Sequence, residues 1–154
     1  MRFYITNING EILRTGICSD SVFDLQAKEG EFTHSGHAND ATQYFDITAN
    51  ILCDYTETEL QQKDNPPYGY RWKMPEKQLI QVVSDEEIYA YKANKIRTER
   101  NILLSTTVDT MNSIRWETLT DIQKQQWIEY RQALLDVPQQ EGFPNNVTWP
   151  IKPE

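Results

Sequence analysis

Cysteine is scarce in this 154-residue chain: Cys18 and Cys53 stand far apart, with no Cys-x-x-Cys pair. That spacing excludes a disulfide framework and a paired-thiol site, and both thiols are expected to be buried in a reducing compartment. Basic residues are outnumbered, 15 Lys and Arg against 23 Asp and Glu, for a formal charge of -8. Phosphate recognition needs clustered Lys and Arg, so neither nucleic acid nor an anionic membrane surface is an expected partner. No apolar run approaches the roughly 20 residues that span a bilayer. The opening MRFYITNING has no apolar stretch of the secretory kind, and synthesis and folding in a cytoplasm are expected. With only 6 glycines there is no phosphate-cradling loop and no Gly-x-Ser-x-Gly elbow. His34 and His37 share one short HSGH segment, which leaves no means of assembling a Ser-His-Asp group. Taken with Cys18 and Cys53, their spacing is wrong for zinc, and no metal or cofactor is expected. Glu31, Asp40, Asp46 and Asp54 could supply the carboxylate pair of a glycan hydrolase, but nothing in their arrangement specifies one. A non-enzymatic protein is expected.

What the chain does have is aromatic residues and well-marked element boundaries. Phe3 and Ile5 alternate with Arg2, Tyr4 and Thr6, and Asn9-Gly10 follows, which predicts a hairpin with a type I′ turn and a return strand over Ile12 to Cys18. SDSVFDLQAKEG predicts one short helix, with a Ser or Asp cap, Phe23 and Ala27 four apart and Gly30 just past its end. GEFTHSGHAND reads as turns. TQYFDITANILCDY reads as a second hairpin about Thr48-Ala49-Asn50, TETELQQKDNPPYG as a polar loop with at most one helical turn, and YRWKMPEKQLIQVV as a third pair of strands about Pro75-Glu76-Lys77.

The composition then turns helical. Ser84 and Glu87 form a capping box, and nothing breaks a helix from there to about Ser105. Tyr89, Ala93, Ile96, Arg100 and Leu103 recur at spacings of four, three, four and three. This seam fits either a helix packed on its own domain or a short coil between subunits, so Tyr89, Ala93, Ile96 and Leu103 are candidate oligomer contacts. Thr120 with Gln123 opens the next helix, which carries Trp127, Arg131 and Leu134 on one stripe widened by Ile128, Tyr130 and Leu135, and Pro138 ends it. The connector holds Trp116. Arg131 is placed either to snorkel, to stack on a tryptophan, or to clamp a carboxylate.

The end is unusual. LLDVPQQEGFPNNVTWPIKPE holds four prolines, Phe143 and Trp149. After Pro138 the chain is expected to run extended, near polyproline II. A large aromatic side chain left in water forfeits about 1.5–3 kcal/mol, so Phe143 and Trp149 must be covered, by this chain or by a partner.

Arg97 to Glu154 resembles the C-terminal module of tailed-phage tail assembly chaperones. The resemblance rests on Arg100-Asn101 with Leu103-Leu104, Asp109, Trp127, Tyr130-Arg131, Ala133-Leu134, Pro138, Gln140, Phe143-Pro144, Val147, Trp149-Pro150 and Pro153. One departure lies in the connector, where the family often has Asp-Trp-Thr. Here Asp109-Thr110 lacks the Trp, and Trp116 comes later. Tail-fibre assembly proteins end in a comparable Tyr-Arg-x-x-Leu helix and Trp-Pro tail. The first half is similar more loosely, through Gln26-Ala27, Gly30-Glu31, Gly36 with Ala38, and PPYGYRWKMPEKQLI.

The expectation is therefore an α+β chain. Residues 1–83 form a β-rich unit of hairpins with one short helix, and residues 84–154 form a helical hairpin with an extended Pro/Trp tail. The resemblance implies a morphogenesis protein that binds a phage tail or tail-fibre polypeptide in the host cytoplasm during assembly. The alternative is a permanent virion component, in a baseplate, collar or fibre. The residues expected to meet the partner are Trp116, Trp127, Tyr130, Arg131, Phe143, Pro144, Trp149 and Pro150.

Overall fold

Strand β1 (Arg2–Asn7) pairs antiparallel with β2 (Ile12–Ile17) on one side and with β3 (Glu31–Ser35) on the other. These pairings belong to a computed structural model of residues 1–154, which is α+β and divides into two units, Met1–Val83 and Ser84–Glu154. The segment read as turns thus contains β3. Because β3 makes β1 a central strand, Tyr4 and Thr6 are buried along with Phe3 and Ile5, where alternation put them in solvent. The first turn also differs. Only Gly10 of the Asn9-Gly10 pair has a positive φ, +80°, and the register shifts between Ile5 and Thr6. Gly10 is needed for close approach: its carbonyl accepts from Phe45 N at 2.9 Å, and a Cβ there would fall 2.0 Å from the Phe45 oxygen.

The short helix expected next is two 3-10 turns, Asp20–Val22 and Asp24–Gln26. Ser19 makes no cap; its hydroxyl is paired with Ser21, and two apolar residues do not make a helical face. The segment is held by Arg14, which donates to the Gln26 carbonyl and to both carboxylate oxygens of Glu31. The Arg14 guanidinium holds the Glu31 carboxyl down to about 2. A carboxylate favoured in the folded state contributes stability that is complete above its ordinary value and is lost as pH falls toward the folded one. The urea midpoint of the full chain is therefore expected to drop between about pH 4.5 and 2, and more shallowly in Glu31→Gln. Equal slopes in the two proteins would remove the pair from the acid response.

Strands β4 (Gln43–Asp46) and β5 (Ile51–Asp54) show how a two-residue period serves two small cores. The Phe45–Leu52 pair packs with Tyr4 and Ala38, and the Tyr44–Cys53 pair packs with Tyr55 and Met74. His34 stacks on Tyr4 at 4.8 Å and lies 4.1 Å from the Phe45 ring, with Nε2 2.9 Å from the Thr6 hydroxyl; burial lowers its pKa. Helix α1 (Glu57–Asp64) occupies the expected polar loop, over eight residues rather than one turn. Its start is a full capping box, Thr56 with Glu59, of the kind recognised at Ser84 and Thr120. Strands β6 (Tyr70–Lys73) and β7 (Gln78–Gln81) form the third hairpin. Lys77 in its turn reaches the Tyr44 hydroxyl at 2.9 Å and Glu59 at 3.0 Å, tying the hairpin to β4 and α1.

The second unit starts with α2 (Asp85–Leu103), capped by Ser84 and Glu87. The helix ends two residues sooner than the sequence suggested, in a single π turn, Leu104–Val108. Thr106 and Thr107 sit there with their hydroxyls on the Ile102 and Leu103 carbonyls, the competition that bends a helix end. The connector also contains α3 (Ser113–Thr118), capped by Asn112. Helix α4 (Asp121–Asp136) follows, capped by Thr120 and Gln123. No helix is long and apolar enough to cross a membrane.

Candidate partner-binding site

The site is built on α4. Its stripe supplies Trp127, 2 % exposed, Tyr130, and Leu134, which is fully enclosed. Leu104 from the π turn completes the cluster, with Leu103, Val108, Met111, Trp116, Leu119 and Leu135 against it. The Trp127 and Tyr130 rings meet edge to face, 5.9 Å apart. These two rings are interior: they shape the surface that others present.

The tail packs back onto its own unit. Pro138 closes α4 within a 3-10 turn, Val137–Gln139. Turns then occupy 141–146, so the extended course expected directly after Pro138 begins only at Val147. The turns are tight. Asn146 N donates to the Gly142 carbonyl at 2.7 Å, and a Cβ on Gly142 would fall 2.2 Å from the Asn146 oxygen. Gln140 grips both backbone groups of Thr148, with its oxygen accepting at 2.7 Å and its nitrogen donating at 2.9 Å.

Each ring of the tail has a place. Phe143 meets Tyr89 edge to face at 6.4 Å, and the Arg97 guanidinium lies 5.3 Å from its centroid. Pro144 is buried, and Lys92 of α2 donates to Asn145 at 2.8 Å. Trp149 joins the α4 cluster, and the Lys152 ammonium lies 6.0 Å from the Trp127 ring.

The structure thus brings Trp116, Trp127, Tyr130 and Trp149 into one cluster, places Phe143 apart on α2, and leaves Arg131 outside. Arg131 is half exposed, with Nε 3.8 Å from the Asp109 carboxylate. Of the seam residues, Ala93 is buried, Leu103 touches the α4 cluster and Tyr89 meets Phe143. Between α4 and the chain's end runs an open groove of about 640 Å³, with Gln126, Glu129, Tyr130 and Ala133 on one side and Pro150 and Ile151 on the other. Ile151 is 93 % exposed. The sequence did not single it out, because an isolated Ile between prolines has no periodicity.

Three of the four candidate carboxylates have structural duties. Glu31 is held by Arg14, Asp46 caps the amides of Thr48 and Ala49, and Asp54 accepts from Gln43. His34 is stacked between rings, and Cys53 packs beside Tyr44, Tyr55 and Met74.

No curated protein and no solved structure matches the chain. Residues 93–154, the segment that contains α4, its buried stripe and the folded-back tail, match the family model described as phage tail assembly chaperone protein, which supports that family and a role in phage tail assembly.

Proposed function

We propose that the protein is a non-enzymatic assembly chaperone that binds a phage tail or tail-fibre polypeptide through its second unit, in the host cytoplasm while the tail is being built. The observation that carries this reading is the extent of the family match, which spans the whole of the ordered aromatic tail and the helix beneath it. The buried pair Trp127 and Tyr130 fixes the surface. Trp116, Trp149 and Pro150 border it, Arg131 lies exposed outside the cluster, and Phe143 with the buried Pro144 offers a separate patch on α2. A tail held by Gln140 and by ring contacts has little freedom left to lose when a partner docks. A fibre protomer exposes apolar surface and unpaired strand edges until its copies assemble. Covering them with a rigid, partly aromatic surface suppresses aggregation and preserves register.

Co-expression of the adjacent fibre gene with and without this chain tests the reading. More soluble assembled fibre is expected in its presence, and equal yields would remove the chaperone role. Mass spectrometry of purified virions distinguishes the permanent-component alternative, which requires stoichiometric copies in the particle. Arg131→Ala separates binding from folding. Its ion pair with Asp109 is solvent-exposed, so stability is expected to change by less than about 1 kcal/mol. Fibre yield is expected to fall if the guanidinium serves the partner. Unchanged yield would place Arg131 outside the contact.

A further inference from the structure

The three-stranded sheet of the first unit runs β2-β1-β3, so β3 is an edge. Tyr4 and Thr6 of β1 stand opposite His34 and Phe32, and Gly36 N donates to the Arg2 carbonyl at 2.9 Å. Antiparallel pairing alternates, so the backbone groups of Phe32, His34 and Gly36 turn toward β1, and those of Thr33 and Ser35 turn away from it. The outward N–H and C=O groups of Thr33 and Ser35 make no hydrogen bond within the chain. Edges of this kind are ordinarily blunted by Lys, Pro, a bulge or an inward charge. The strand EFTHS has neither Lys nor Pro, its register against β1 is unbroken, and its one carboxylate is tied to Arg14.

An apolar hollow lies beside the edge. Phe32 and His34 project to the same face of the sheet as Tyr4 and Thr6, the face met by Phe45 of β4. With Thr6, Ile8, Phe45 and Ile47 they line an open hollow of about 320 Å³. Ile8 is 67 % exposed, Phe32 50 % and Ile47 48 %. The polar groups of Thr6 and His34 are already paired with each other at 2.9 Å, so rings and aliphatic carbon are what the hollow offers. A strand added to β3 sets every second side chain on this face, about 4.8 Å beyond Phe32 and His34. The free backbone groups therefore select extended peptide, and the hollow selects apolar side chains at alternate positions. A second copy is the poorer occupant, because each chain carries a charge of -8 and like-charged chains repel.

We infer that the β3 edge receives an extended segment of another polypeptide, apolar at alternate residues and neutral or basic in charge. The segment adds a fourth strand through Thr33 and Ser35 and lays its apolar side chains over Ile8, Phe32 and Ile47. That it belongs to the tail or tail-fibre polypeptide rests on the function proposed above; the strand chemistry does not. The contact lies wholly in the first unit and is additional to the surface on the second.

The probe is a fluorescein-labelled peptide, Lys-Thr-Val-Thr-Val-Thr-Val-Lys, titrated into the full chain and followed by anisotropy. Thr33→Pro removes an outward N–H and no bond to β1, and Ile8→Ser changes one exposed side chain of the hollow. Each is expected to weaken binding roughly tenfold or more. Ile122→Ser removes an equally exposed side chain from the second unit and is expected to leave binding unchanged. The same peptide N-methylated at every Thr and Val keeps all its side chains and is expected not to bind. Amide exchange supplies a readout that mere stickiness would not move. Thr33 and Ser35 are expected to exchange freely without peptide and to be protected with it, while Phe32 and His34 are slow in both states. Unchanged circular dichroism verifies the fold of each variant, and the N-methylated peptide tests the edge with no variant at all. Absent binding overturns the inference, as does binding indifferent to Thr33→Pro or to N-methylation. Protection of Thr33 and Ser35 that grows with chain concentration alone also overturns it, because the edge then belongs to a second copy. Fibre yield separates the two readings. A chain that binds the peptide but does not raise fibre yield keeps the strand edge and loses the chaperone role. Undiminished yield with Thr33→Pro keeps the chaperone role and removes the tail polypeptide from this edge.

Discussion

Replacing Trp127 by alanine is expected to cost about 3–5 kcal/mol, enough to remove much of the stability of the second unit. The ring is 2 % exposed and lies at the centre of the cluster formed by Leu104, Tyr130 and Leu134. Its removal takes away the edge-to-face contact with Tyr130 and the surface under Lys152. The cavity closes poorly, because its walls come from three separate segments: α4, the π turn and the tail. Ile128 is the internal control. It neighbours Trp127 on the same helix but is 52 % exposed, so Ile128→Ala is expected to stay within about 0.5 kcal/mol of the wild type. Urea unfolding followed by far-UV circular dichroism, which the helices of the second unit dominate, measures both. If the two substitutions cost the same, the cluster is not what holds the helices together.

The parts of the fold legible in the sequence are those with two agreeing local features. The capping boxes at Ser84 and Thr120 preceded long apolar stripes, and both helices start where their caps put them. The β4–β5 and β6–β7 hairpins had strand-forming residues on both sides of a turn, at Thr48-Ala49-Asn50 and Pro75-Glu76-Lys77. Two of the misses, β3 and α1, had one feature or none. Strand β3 is EFTHS, polar apart from Phe32, which is 50 % exposed, and its inward contact is His34 against the rings of Tyr4 and Phe45 rather than an aliphatic side chain. Helix α1 has no buried residue, so no stripe announced it; only Thr56 and Glu59 did. The false helix in SDSVFDLQAKEG had a candidate Ser or Asp cap, an apolar pair and a closing Gly, but no side-chain cap forms and only 3-10 turns result.

The candidate site divides in the same way. The aromatic residues were visible because a chain end rich in Phe, Trp and Pro is costly to leave in water. Which rings go inside was not, because nothing local in the sequence separates the buried Trp127 and Tyr130 from the half-buried Trp116 and Phe143; tertiary packing decides it.

Deleting residues 139–154 is expected to lower the stability of the second unit by about 3 kcal/mol or more, from the burial lost at Phe143, Pro144 and Trp149. The deletion also uncovers Tyr89 and Trp127, which makes the remaining surface stickier. It therefore affects folding and binding together, and a single-site variant is needed to separate the tail's conformation from its mass. Gly142→Ala serves. Its methyl would collide with the Asn146 carbonyl oxygen, so the turn that returns the chain must open while every aromatic side chain is retained. An ordered tail predicts that Gly142→Ala reproduces part of the deletion: faster amide exchange over 140–149, a Trp149 ring more accessible to quencher, and a loss of about 1–3 kcal/mol. A passive tail predicts no change in either variant. An intermediate result is also informative: normal stability with lost fibre yield would assign the aromatic tail to the partner rather than to the core. The order of effects, deletion greater than Gly142→Ala and both greater than Arg131→Ala, follows from where the tail is gripped, by Gln140 and the rings of Tyr89 and the α4 cluster, and not at the exposed Arg131–Asp109 pair.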